Sequence, residues 1–137
     1  MIVRDHLTMW KSQVRTEPPK IVVVDDDDSF RRAVSRLIGL WGYNTCTFGS
    51  VEEYLRREIE PDCIVLDVHM AGMSGLELQA SLAGRRKTIP IIFVTAMDDP
   101  ATRQRALDAG AVAYLEKPFE DYRLLEALQS VTDFPTT

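Results

Sequence analysis

Four short apolar runs each stop at a charged or hydroxyl-bearing residue, and this recurrence restricts the fold more than any other feature of the chain. Ile21-Val22-Val23-Val24 ends in Asp25-Asp26, Cys63-Ile64-Val65-Leu66 in Asp67, Ile91-Ile92-Phe93-Val94 in Thr95, and Ala113-Tyr114-Leu115-Glu116 in Lys117-Pro118. Runs of this length bounded by turn signals read as strands. Three of them are continuous Val/Ile stretches, as expected where helices cover both faces of a parallel sheet. The C-terminal strand ends of an open parallel sheet converge on one crevice, and ligands bind there. Two or three carboxylates, a hydroxyl and an ammonium then share a pocket. That inventory suits a divalent cation and a phosphoryl group.

Helical segments alternate with the runs. The first strand covers about Lys20–Asp25 after the break at Pro18-Pro19. Asp28 or Ser29 caps a helix to about Trp41, with Phe30, Val34, Leu37, Ile38 and Trp41 along one side and Gly42 as its stop. A second strand follows at about Tyr43–Phe48, and Ser50 with Glu53 supplies a capping box for a helix ending before Pro61. After the strand at Cys63–Asp67, a loop with Gly72 and Gly75 leads to a helix ending near Gly84. The fourth strand is Pro90–Thr95, and Pro100 suits the first turn of a helix ending before Gly110. Strand Ala113–Glu116 and a helix over Glu120–Ser130 complete the pattern. The expectation is a (βα)5 doubly wound, parallel five-stranded α/β sandwich, flavodoxin-like, over 20–132. An extension at 1–19, read as flexible, precedes it and a tail at 133–137 follows, too short for an output domain.

Composition agrees with one domain: 137 residues, 45% of them apolar, are enough for a core. The net charge of −5 argues against a nucleic-acid surface, and the basic run Arg85-Arg86-Lys87 reads as solvated loop. The first twenty residues carry Arg4, Lys11, Arg15 and Lys20 against Asp5 and Glu17, so the acidity belongs to the remainder. Cys46 and Cys63 lack CxxC spacing and read as buried reduced thiols. No apolar stretch approaches the roughly 20 residues of a membrane span, and no signal-peptide core begins the chain. The expected location is cytoplasmic, away from membranes.

Val23-Val24-Asp25-Asp26-Asp27, Leu66-Asp67-Val68-His69-Met70-Ala71-Gly72-Met73-Ser74-Gly75, Val94-Thr95-Ala96 and Tyr114-Leu115-Glu116-Lys117-Pro118-Phe119 together resemble the receiver domain of two-component response regulators. The resemblance spans roughly 20–130, with the four pieces in order and each at a strand end. The segment Gly110–Phe119 is similar to the FixJ/NarL-like branch, whose receivers often precede helix-turn-helix DNA-binding domains. No such domain follows here, so the chain reads as a stand-alone receiver with no direct nucleic-acid contact.

The resemblance implies roles. Crowded carboxylates favour a neutralising cation, and Mg²⁺, with Mn²⁺ as the alternative, suits carboxylates plus a phosphate oxygen. Asp26, Asp67 and the His69 backbone carbonyl are implied direct ligands, with Asp25 acting through a bound water. Asp67 is the implied nucleophile, taking a phosphoryl group from a phosphohistidine on a sensor histidine kinase or phosphotransfer protein. Lys117 neutralises developing charge, and the Thr95 hydroxyl bonds the phosphoryl oxygens. Ala96 leaves room for the donor. Tyr114 matches the switch aromatic, and Lys117-Pro118 the family's cis peptide. Output passes to a downstream protein or a second copy through the 100–130 face. The chain then acts on no separate substrate, catalysing only its own phosphoryl transfer and loss.

Some positions depart from the pattern. Ala71 stands where most relatives carry proline, and Ala113 where many carry Asp. His69 and Met97 each stand two residues past a site residue, at positions that, the resemblance implies, shape the access of water to an acyl phosphate; the His69 side chain is expected over the pocket mouth. Two other readings stay open. One is a small haloacid-dehalogenase-like phosphohydrolase with Asp25 as nucleophile and Asp27 as acid/base; the other is a phosphorylation-independent dimerisation module.

Overall fold

The computed structural model describes residues 17–133, so most of the expected extension and tail lies outside the described residues. Strands β1 (Lys20–Val24), β2 (Asn44–Phe48), β3 (Cys63–Asp67), β4 (Ile91–Thr95) and β5 (Ala113–Glu116) alternate with helices α1 (Asp28–Leu40), α2 (Val51–Arg57), α3 (Gly75–Gly84), α4 (Pro100–Asp108) and α5 (Asp121–Thr132). All strand pairs are parallel, in the order β2-β1-β3-β4-β5. The doubly wound sandwich expected from the sequence is the observed fold.

Side chains alternate across each strand, so one sheet makes two cores. Ile21, Val23, Cys63, Val65, Ile92 and Val94 face α1 and α5 through Val34, Ile38, Leu124 and Leu128. Val22, Val24, Ile64, Leu66 and Phe93 pack in the other core with Val51 and Tyr54 of α2, Leu78 and Leu82 of α3 and Ala106 of α4. The central strands are apolar on both faces because neither face meets water.

Element ends differ from expectation in instructive ways. Asp27, not Asp28 or Ser29, caps α1: its backbone is extended and its carboxylate accepts from Phe30 N at 3.1 Å. Of the box expected at Ser50 and Glu53, the Ser50 half forms, accepting from Glu53 N at 3.1 Å. The reciprocal box is at Ser74 and Glu77, whose two bonds are 2.8 and 3.2 Å. Pro100 does open α4. Helix α5 runs past Ser130 to Thr132, where Thr132 Oγ1 lies 3.0 Å from the buried Tyr43 hydroxyl. This packing fastens the last turn to the segment before β2.

Candidate functional site

The strand order reverses between β1 and β3, because β2 lies outside β1 while β4 and β5 continue beyond β3. This switch point opens a crevice at the C-terminal strand ends. Asp25 and Asp26 follow β1, Asp67 ends β3, Thr95 ends β4 and Lys117 follows β5. Backbone bonds hold these ends in step: Asp25 N donates to Phe48 O at 3.1 Å, Val68 N to Val94 O at 3.2 Å and Lys117 N to Thr95 O at 2.7 Å.

Carboxylate oxygens of Asp25, Asp26 and Asp67 lie within 4.8 Å of one another. Asp25 and Asp67 are buried and Asp26 is exposed, so the cluster has one open side. Lys117 Nζ donates to Asp25 Oδ2 at 2.8 Å and sits 3.9 Å from the centre of the Phe30 ring. Asp27 N donates to the other Asp25 oxygen at 2.9 Å, and Arg31 donates to the Asp25 carbonyl at 2.7 Å. Asp25 is thus held by a cation and an amide, while Asp67 receives one long bond, from His69 N at 3.4 Å. Burial first, then the Asp25 charge, pushes the Asp67 carboxyl up to about 6; Lys117 and the His69 amide oppose the rise. Three carboxylates and one committed ammonium leave an electronegative, oxygen-lined hollow. Such a donor set fits a hard divalent cation.

Thr95 is fully buried, and its hydroxyl both donates to Met97 O at 3.0 Å and accepts from Met97 N at 3.1 Å. The hydroxyl therefore bonds its own loop. Tyr114 is buried, its ring centre 6.2 Å from that of Phe93, and burial raises its phenol above the ordinary value. His69 is exposed at the rim of a hollow shared with Ser74, Thr102 and Arg105. The Lys117-Pro118 peptide is cis. Ala96 and Met97 are exposed, with Met97 69% accessible.

The structure thus brings Asp25, Asp26, Asp67, Thr95 and Lys117 to one crevice, with His69 at its edge and Tyr114 beneath the adjoining face. Sequence reasoning placed Gly75 in the loop before the helix and missed its close packing against the site. A Cβ there would lie 2.4 Å from Asp67 O and 3.0 Å from Phe93. Gly75 N also donates to Val68 O at 3.1 Å, so the start of α3 presses against the strand end that carries Asp67. The signal was present as the Ser74-Gly75 pair opening a helix, but only the packing shows why a side chain does not fit. An apolar groove of about 670 Å³, lined by Phe30, Leu37, Leu40, Pro118 and Phe119 among others, runs along α1 beside Lys117.

The family model "Response regulator receiver domain" matches residues 21–129. Nodulation protein W of Bradyrhizobium diazoefficiens is 42% identical over 116 residues, covering 82% of this chain and 51% of that protein. The crystal structure of a response regulator receiver protein from Burkholderia phymatum is 44% identical, with a TM-score of 0.72, covering 82% of this chain and 94% of that one. A response regulator from Burkholderia pseudomallei, solved with a phosphorylated aspartic acid, calcium ion and citrate, is 29% identical at a TM-score of 0.73; the match covers 82% of this chain and 67% of that one. The chain spans about half the length of the curated relatives it matches.

Proposed function

The chain belongs to the response regulator receiver domain family, and from that premise we propose that Asp67 accepts a phosphoryl group from a phosphohistidine on a partner kinase or phosphotransfer protein. The observation that carries this reading is the single crevice in which Asp67 faces Asp25 and Asp26, with Lys117 bound to Asp25 at 2.8 Å. The phosphorylated aspartic acid and calcium ion of the Burkholderia pseudomallei regulator lend it further support.

In the proposed step an Asp67 carboxylate oxygen attacks phosphorus. A P–O bond forms as the P–N bond to the donor imidazole breaks, and the imidazole leaves with the electron pair. A bare carboxylate is a weak nucleophile, so the protein's contribution is positioning and charge neutralisation. Asp25, Asp26 and Asp67 would hold Mg²⁺, or Mn²⁺, together with the His69 carbonyl. The cation would supply positive charge beside the transferred oxygens. Lys117 sits on a stem able to turn from Asp25 towards Asp67, and the Thr95 hydroxyl can exchange its Met97 partners for a phosphoryl oxygen. The apolar groove along α1 adjoins Lys117 and is the surface this reading assigns to the protein donor.

The proposed output face comprises α4, β5 and α5. A phosphoryl group favours whichever conformation lets Thr95 reach it, and only such a differential contact shifts the equilibrium. Tyr114 lies under this face, which meets a downstream protein or a second copy of the chain. The two alternative readings draw no support from the relatives. For the phosphohydrolase, moreover, Asp25 is buried and bound to Lys117, poorly placed to act as a nucleophile.

Intact-mass spectrometry after incubation with Mg²⁺ and acetyl phosphate or a phosphohistidine donor tests the assignment. One added phosphate is expected in the wild type and none in Asp67→Asn. Unchanged incorporation in that variant overturns it.

A further inference from the structure

The loop from Val68 to Ser74 continues the backbone from Asp67 to α3, and no proline stiffens it. Ala71 and Gly72 at its tip are exposed, and Gly72 has a φ of +79°. Such a stretch keeps one shape only where other groups fix its backbone. Its base is closed by Gly75 N, which donates to Val68 O at 3.1 Å. Its far side is held by glutamates on two different helices. Ser74 N donates to Glu77 of α3 at 2.8 Å, and Met73 N donates to Glu52 Oε2 of α2 at 2.8 Å.

Glu52 reaches the loop from a separate element, 21 positions earlier in the chain. It lies in the first turn of α2, flanked by Val51 and Tyr54, both buried in the core beneath the sheet. The start of α2 is therefore a fixed post. The Glu52 carboxylate also rests against the bare Cα of Gly72, where a Cβ would lie 2.7 Å from Oε2. The bond from the Met73 amide is the main reason the Glu52 carboxyl is held below its ordinary value. A carboxylate accepting from a backbone amide makes a stronger bond than a neutral acceptor does. Met70 and Met73 pack against the same core, so the loop is gripped by side chains as well as by its amide. His69 stands between these anchors and Asp67, and its N–H donates to Asp67 at 3.4 Å. A loop released at Met73 carries the His69 peptide with it.

We propose that Glu52 is a positioning residue for the acidic crevice: it ties the β3–α3 loop to α2 and so fixes the His69 backbone beside Asp67. The consequence for a metal rests on the proposed reading of Asp25, Asp26, Asp67 and the His69 carbonyl as its ligands. The tie itself is a property of the protein without metal.

The test is ¹H–¹⁵N NMR of the full chain, first without metal and then through a titration with Mg²⁺ alone. In metal-free Glu52→Ala the Met73 amide signal is expected to move upfield, as loss of a hydrogen bond requires, and the His69 signal to move with it. The Mg²⁺ Kd of this variant should rise about tenfold, the low end for a group that acts through a ligand. Glu52→Gln keeps an oxygen acceptor at the same reach without the charge, and its Kd should stay within about threefold of wild type. Glu53→Ala removes a carboxylate one residue away and should leave the Met73 and His69 signals in place. An unmoved His69 signal or an unchanged Kd in Glu52→Ala overturns the proposal. Glu52→Gln binding Mg²⁺ as weakly as Glu52→Ala also overturns it, because charge and not position would then be the cause. If the wild type fails to bind Mg²⁺, the metal reading falls. The tie is then decided by the metal-free spectra, where a His69 signal unmoved in Glu52→Ala refutes it.

Discussion

Lys117 Nζ donates to Asp25 Oδ2 at 2.8 Å, so in the unmodified protein the ammonium at the end of β5 is committed to the acid after β1. Asp67 keeps its own charge problem. The resting site is consequently half-neutralised: Asp25 is satisfied, while Asp67 is left for a cation or a proton.

Removing one partner of a buried pair leaves the other uncompensated. Lys117→Met should destabilise the metal-free protein at neutral pH by about 3 kcal/mol. Asp25→Asn combined with Lys117→Met should recover much of that loss, because the amide needs no counter-charge. Urea unfolding of both singles and the double closes the cycle. A double variant as unstable as the sum of its singles would refute the pairing.

The pH dependence follows from Asp67. Its carboxyl is raised from 3.8 to about 6, so the folded state binds the proton more tightly than the unfolded chain does. Stability therefore falls as pH rises from about 4 to about 6, and the deficit is complete above that window. Asp67→Asn should match wild type near pH 4 and exceed it by about 1 kcal/mol at pH 8, allowing for partial solvent screening. The measurement is denaturant unfolding in a metal chelator. A gain of equal size at both pH values would show that charge is not its cause.

Asp26 supplies the exposed carboxylate of the cluster. Asp26→Ala should raise the metal-free melting temperature slightly, by relieving repulsion, and shrink the rise produced by Mg²⁺. A ligand at a hundredfold its Kd adds about 2.7 kcal/mol to the wild type. Paired melting curves read both effects; a lower metal-free midpoint in the variant would contradict the crowding argument.

Two glycines should respond with opposite signs. At Gly75 a Cβ would stand 2.4 Å from Asp67 O, a backbone atom that cannot turn aside. Gly75→Ala should cost about 1–3 kcal/mol and reduce phosphate uptake by displacing Asp67. At Gly39, inside α1, a Cβ meets nothing within 4 Å. Gly39→Ala should stabilise by up to about 1 kcal/mol. Thermal unfolding of the two variants is the comparison; a neutral Gly75→Ala would mean that α3 can shift away from β3.

Much of the fold was legible because β1, β3 and β4 are continuous apolar runs that a parallel sheet covered on both faces buries well. Ala113–Glu116 and the Pro100 helix start matched expectation, since a polar stop and a proline mark them locally. The cap of α1 did not, because Asp27, Asp28 and Ser29 are all competent caps. Only the direction in which the chain leaves β1 selects Asp27. The end of α5 was also out of reach: no breaker follows Ser130 until Pro135, and the bond between Thr132 and Tyr43 joins residues 89 positions apart.

At the site the division is similar. The polar residue types and their strand-end positions are local properties of the chain, set by where each apolar run stops. That Asp25, Asp67, Thr95 and Lys117 lie at one end of the sheet follows from parallel strands, which the alternating pattern already implied; the order that sets them side by side was seen only in the structure. Partner choice does not follow from either. Which acid takes Lys117 and which backbone holds Thr95 are contests among groups within a few ångströms. Their outcomes depend on distances and burial that arise only when β1, β3, β4 and β5 are packed side by side.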